Sequence, residues 1–118
     1  MDARQISEAL SGHRFTETYQ HLASGVRWVV LPDQVAIDGK DAVVELCESS
    51  AAEMAGLAKV EFSRFDSVAG DRLAVVHAEA RYESPDGSVS VVSSADIYEF
   101  DGDGLVTTIT SYAVELDG

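Results

Sequence analysis

Basic residues are scarce in this chain. Eight Lys and Arg stand against 21 Asp and Glu, a formal charge of −13 over 118 residues. Such a surface repels phosphate backbones and anionic headgroups, so neither nucleic acid nor a membrane is an expected partner. The one cysteine, Cys47, can form no internal disulfide, which fits a reducing compartment. Its neighbours Val44, Leu46 and Glu48 place it on a helix, where a free thiol is a small buried hydrophobe. No apolar run approaches the roughly 20 residues of a membrane span. The opening MDARQISEAL lacks the apolar stretch of a secretion signal, so the expected location is the cytoplasm. The motifs of metal and phosphate chemistry are missing as well. There is no CxxC, HxxxH or HExxH, no GxGxxG and no nucleophile-elbow serine, so the expectation is no metal and no cofactor.

What is present reads as one domain spanning residues 1–118, with 46% hydrophobic residues and only two prolines. The first half is predicted helical. Ile6, Ala9 and Leu10 form a short stripe over 3–10, closed by Ser11-Gly12. Phe15, Tyr19 and Leu22 form a second stripe over 14–23. Val26 to Leu31 is β-branched and apolar, a short strand broken at Pro32-Asp33. A third helix follows over 41–55, capped by Asp38 or Asp41, with Val43, Val44, Cys47, Ala51, Met54 and Ala55 on its apolar side and Gly56 at its end. Four strands complete the chain, over 59–68, 72–83, 88–100 and 105–116. They are separated by Ala69-Gly70-Asp71, Ser84-Pro85-Asp86-Gly87 and Asp101-Gly102-Asp103-Gly104, each a turn signal. Three helices followed by a four-strand meander give an α+β fold, with the helices on one face of the sheet. His13 and His21 fall near helix ends and are expected in solvent.

The strand over 88–100 carries the feature most relevant to chemistry. Side chains repeat every second residue, so Val92, Ser94, Asp96, Tyr98 and Phe100 share a face. A carboxyl in the middle of a mostly apolar face must find a partner, shift its pKa or do chemistry. On the strand over 72–83, Leu73, Val75, His77, Glu79, Arg81 and Glu83 form one face. With the hairpin turned at Pro85-Asp86-Gly87, His77 or Glu79 is expected across from Asp96. The candidate catalytic residues are therefore Asp96, His77 and Glu79. Arg81, Ser94 and Ser111 are expected on the same wall and Tyr98 at its edge, with Trp28, Tyr19 and Met54 opposite as the apolar side of a substrate pocket. A buried acid paired with Arg81 or His77 for structure alone is the competing reading of Asp96.

Two segments, WVVLPDQVAIDGKDAVVEL (28–46) and ADIYEFDGDGLVTTITSYAVEL (95–116), resemble the nuclear-transport-factor-2-like superfamily, and within it the SnoaL-like and ketosteroid-isomerase-like proteins. The resemblance implies a cone-shaped fold, three N-terminal helices packed on a curved, mainly antiparallel sheet, with a pocket at the wide end. Asp96 falls where ketosteroid isomerase has the oxyanion-hole aspartic acid, a carboxyl kept protonated by an apolar site. That family's general-base aspartate falls on Val30, and its oxyanion-hole tyrosine falls near Gln5. Set against limonene-epoxide-hydrolase-like members, the Arg-x-Asp pair falls on His77-x-Glu79 and the second aspartate on Ser111. The chain thus keeps part of each pattern.

The resemblance implies a small enzyme performing cofactor-free acid–base chemistry, whether isomerisation, cyclisation or water addition, on a small apolar molecule. A non-catalytic binding module for such a ligand, or a structural assembly domain, are the alternatives. A homodimer is expected in each case. Val91, Ala95, Ile97, Thr110 and Tyr112, with Ala78, Ala80 and Tyr82, are read as one apolar outer sheet face.

Overall fold

A computed structural model describes residues 1–116. The chain opens with α1 (Ala3–Ser11) and passes through two single turns of 3₁₀ helix, Phe15–Glu17 and Tyr19–His21. Strands β1 (Leu22–Leu31) and β2 (Val35–Asp38), helix α2 (Lys40–Ala55) and strands β3 (Lys59–Ala69), β4 (Leu73–Glu83), β5 (Val89–Phe100) and β6 (Val106–Leu116) follow. All six strands form one sheet in the order β2-β1-β6-β5-β4-β3. The pairing is antiparallel except between β1 and β6, which run parallel.

Helix α1 starts where its caps dictate. The Asp2 carboxylate accepts from the Gln5 backbone N–H at 2.8 Å, and the Gln5 side chain accepts from the Asp2 N–H at 2.9 Å, closing a capping box. Its stripe buries Ile6, Ala9 and Leu10. Helix α2 begins at Gly39, whose φ of +93° only glycine adopts without strain; neither Asp38 nor Asp41 caps it. The Gly39 N–H bonds the Val26 carbonyl at 2.8 Å, so the helix start is tied to β1.

Among the described residues there are two α-helices, not three. Over Phe15–His21 the Thr18 hydroxyl donates to the Phe15 carbonyl at 2.7 Å and closes a short turn. Phe15 and Thr18 are both buried there, and the chain enters β1 at Leu22, which pairs with Val106. Tertiary burial overrides the helical spacing of Phe15, Tyr19 and Leu22. The same pairing extends β1 four residues ahead of Val26.

The helices cover one face of the sheet. Ile6, Leu10, Phe15, Val43 and Cys47 meet Val26, Val76, Tyr98, Phe100, Val106 and Ile109 in a single core. Among the described residues no helix is long and apolar enough to cross a membrane.

Candidate active site

The position of Asp96 follows from strand register. Across the sheet it pairs with Val76 of β4 on one side and Ser111 of β6 on the other, and Ser111 pairs with Val30 of β1. One row of side chains thus runs Val76, Asp96, Ser111, Val30 on the face beneath the helices. The next row holds Ala74, Tyr98, Ile109 and Trp28. Within the sheet its neighbours on this face are Val76 and Ser111 across the ladder and Ser94 and Tyr98 along the strand, and α1 closes over it.

Ser11, the last residue of α1, makes that closure polar. Its hydroxyl donates to Asp96 Oδ2 at 2.7 Å and lies 2.6 Å from the Tyr98 hydroxyl. With the Ser11 proton committed to Asp96, Tyr98 is the donor in the second bond, and the two form a relay onto the carboxylate. Ser111 takes a bond from Trp28 Nε1 at 2.9 Å, which leaves its own proton free for the carboxyl beside it. Burial pushes the Asp96 pKa above the ordinary carboxylate range, and the Ser111 and Ser11 hydroxyls, the nearby His13 and the Tyr98 hydroxyl pull it back only in part. Burial also raises Tyr98 well above an ordinary phenol, with Asp96 adding to the shift.

Asp96 opens onto a cavity of about 210 Å³. Apolar groups make most of its wall, including Leu10, Phe15, Trp28, Met54, Phe62 and Val92, and its polar groups are Ser11, His13, Ser50, Tyr82, Ser94 and Asp96. His13 follows the Gly12 cap of α1 and adopts φ +63°, a left-handed conformation in which His is several-fold enriched among non-glycine residues. Its ring stacks among Phe15, Phe62 and Tyr82, with centroids 5.6 to 6.1 Å away. Nε2 lies 3.2 Å from the Tyr82 hydroxyl, and Nδ1 is buried with no hydrogen-bond partner. Burial lowers the His13 pKa below its ordinary value against the opposing pull of Asp96. The cavity therefore presents a carboxyl biased toward the acid and an imidazole biased toward the free base.

Of the residues expected at a pocket, Asp96, Ser94, Trp28 and Met54 line this cavity, and Ser111 lies behind its wall on Trp28. Tyr98 is fully buried beneath Asp96 rather than at a pocket edge. Tyr19 is elsewhere, donating to Glu48 Oε1 on α2 at 2.9 Å. His77, Glu79 and Arg81 are corrected outright. In the β4–β5 ladder they pair with Ala95, Ser93 and Val91, on the sheet face opposite Asp96. The cause is a one-residue difference in register, which moves every side chain of a strand to the other face. On that outer face His77 Nδ1 sits 3.4 Å from Arg64 and Arg81 sits 3.7 Å from Glu83.

The same inversion brings Ala78, Ala80 and Tyr82 inward, removing them from the outer patch. His13 is corrected in the other direction, from solvent to the cavity. Its signal was available: Ile6, Leu10 and His13 keep the i, i+4, i+7 spacing of one helix face.

No protein-family model and no curated protein sequence matches the chain. Solved structures do. A nuclear-transport-factor-2-like protein of unknown function from Cytophaga hutchinsonii is 26% identical, with 93% of this chain and 94% of that one covered at a TM-score of 0.78. A provisionally named isomerase of the SnoaL-like family from Agrobacterium tumefaciens is 17% identical, with 97% and 93% covered and a TM-score of 0.63. A provisionally named SnoaL-like polyketide cyclase from Shewanella putrefaciens is 12% identical, with 92% and 75% covered and a TM-score of 0.69. The chain is a nuclear-transport-factor-2-like protein, and SnoaL-like proteins share its fold.

Proposed function

We propose that this chain is a small enzyme performing cofactor-free acid–base chemistry, isomerisation, cyclisation or water addition, on a small, largely apolar molecule. The observation that carries the reading is that Asp96 and His13 line one apolar cavity while environment shifts their proton affinities in opposite directions. Asp96, held protonated, donates to a substrate oxygen. His13, held neutral, takes a proton from the adjacent carbon or from water. As negative charge grows on the oxygen, the proton moves from Asp96, and the Ser111, Ser11 and Tyr98 hydroxyls stabilise the carboxylate left behind. His13 thus takes the part that the sequence assigned to His77 and Glu79. The fold shared with SnoaL-like proteins supports the reaction class without specifying the substrate.

The test is deuterium uptake from heavy water at the α-carbon of a panel of small ketones, acetophenone included, followed by NMR. Asp96→Asn is expected to lower the rate by about 10²- to 10⁴-fold, the range of one positioned acid–base group, with the folded spectrum unchanged. Equal rates with and without Asp96, across the panel, would remove the proposal.

A further inference from the structure

The Asp96 cavity has a neighbour. A second hollow of about 300 Å³ lies between the end of α2 and the β4–β5 hairpin, and Met54 and Tyr82 line both spaces. At about 210 Å³ the inner cavity falls short of the roughly 300–1,000 Å³ typical of pockets for drug-sized ligands; the two together fall within it.

The outer hollow has its own chemistry. Leu57, Val89 and Met54 supply apolar surface, and Glu53, Ser84, Ser88 and Ser90 supply polar groups. Ser88 Oγ already donates to Asp86 at 2.7 Å and Ser90 Oγ to Glu115 at 3.0 Å, so with their protons committed their oxygens remain available as acceptors. Among the described residues no Lys, Arg or His pairs with the Glu53 carboxylate. Acceptors and an uncompensated anion, on a chain of net charge −13, select a donor-rich cation. The border the two spaces share is also connected to the chemistry, because the Tyr82 hydroxyl meets His13 Nε2.

We propose that the outer hollow is a substrate subsite for a protonated amine carried on a short apolar tether, whose uncharged ring or carbonyl end occupies the Asp96 cavity. The inference rests on the catalytic reading above. The substrate is then a two-part molecule, apolar at the reacting end and cationic at the other, rather than a purely apolar one. Methylenes of the tether lie against Met54, Leu57 and Val89, and the ammonium faces Glu53 and the serine oxygens.

The probes are acetophenone and its 4′-(ω-aminoalkyl) derivatives with two to five methylenes, titrated by calorimetry and, for the proteins whose one tryptophan is Trp28, also by its fluorescence. At least one tethered amine is expected to bind about tenfold tighter than acetophenone. Glu53→Gln should reduce that gain severalfold, and Ser88→Trp, which fills the hollow from an exposed turn, should abolish it while leaving acetophenone binding unchanged. The inference is overturned where no tether length gains more than about twofold, where none of the probes binds, or where the gain survives Ser88→Trp. The two proposals separate in the same experiment. Asp96-dependent exchange on acetophenone without a tether gain sinks the subsite and leaves the catalysis; a tether gain without exchange supports the subsite and removes the catalysis.

Discussion

The Ser11 hydroxyl donates to Asp96 Oδ2 across 2.7 Å, joining the last residue of α1 to the middle of β5. This bond serves two ends. It brings the helix terminus down onto the sheet, and it is one of the few groups favouring the charged form of a carboxyl that burial drives toward the acid.

Ser11→Ala is therefore expected to act on both. The fully buried Tyr98 hydroxyl loses its bond to Ser11 and is left with Asp96 alone, and a lost hydrogen bond costs about 0.5–1.5 kcal/mol. Urea unfolding should show a lower midpoint at unchanged slope. Without this donor the Asp96 pKa moves further up, so the pH limb of activity assigned to Asp96 should shift to higher pH. An unmoved limb in a folded variant would show that Ser11 does not tune the carboxyl.

Stability should depend on pH in opposite senses at the two cavity groups. The folded pKa of Asp96 lies above its ordinary value of 3.8, so the folded state holds its proton longer. Its contribution is fully present below that value and is lost as pH rises through the folded pKa. Asp96→Asn should accordingly gain on the parent as pH climbs from about 4. His13 has a folded pKa below 6.5, so its contribution is present above 6.5 and is lost as pH falls through the folded value. His13→Gln should resist acid better than the parent over that interval. Urea midpoints of the three proteins across pH 4 to 8, roughly the span of both titrations, check both signs. Parallel profiles would contradict them.

The fold was legible in the sequence because most of its signals are local. The four long strands and their Gly- and Asp-bearing turns were read to within a residue, as were α1 and α2. Asp96 stood out as a carboxyl on an apolar face, and it is half-buried there, on the wall of the cavity. Ser111 and Tyr98 were read on its side of the sheet, but its neighbour on β4 was not legible, because that depends on register. The turn Ser84–Ser88 pairs Glu83 with Val89, and from that point even-numbered residues face even-numbered ones. A slip of one would have given His77 to Asp96; the actual ladder gives Val76. Ser11 and His13 reach Asp96 from more than 80 residues away in the chain, through the docking of α1, which no local pattern specifies.

Cys47 is expected to be unreactive in the native protein. It is fully buried on α2, and burial with the Glu48 carboxylate beside it pushes the thiol pKa up to about 11. The thiolate is the reacting form, so little of it exists at pH 8. Labelling by a thiol reagent at that pH should proceed only as fast as unfolding or local opening allows, and should become immediate in strong denaturant. Rapid stoichiometric labelling of the folded chain would mean that α2 opens readily from the sheet.

The outer face of the sheet carries the remaining prediction. Tyr112 and Val114 of β6 are 46% and 60% exposed, and Leu73 and Val68 at the β3–β4 turn are 49% and 66% exposed. Register places Val91, Ala95 and Ile97 of β5 on the same face, and Ala95 pairs directly with Tyr112. Apolar patches extending over several strands mark interaction surfaces. On the β4 side it is bordered by Glu61, Arg64 and Asp66 of β3 and His77, Glu79 and Arg81 of β4, a polar margin beside an apolar surface. A second copy of the chain offers a self-complementary partner for such a face about a two-fold axis. Sedimentation at micromolar concentration should give a dimer. Val114→Asp, which buries an unpaired charge in that contact, should give a folded monomer. A parent protein that sediments as a monomer would leave this face without the assigned partner.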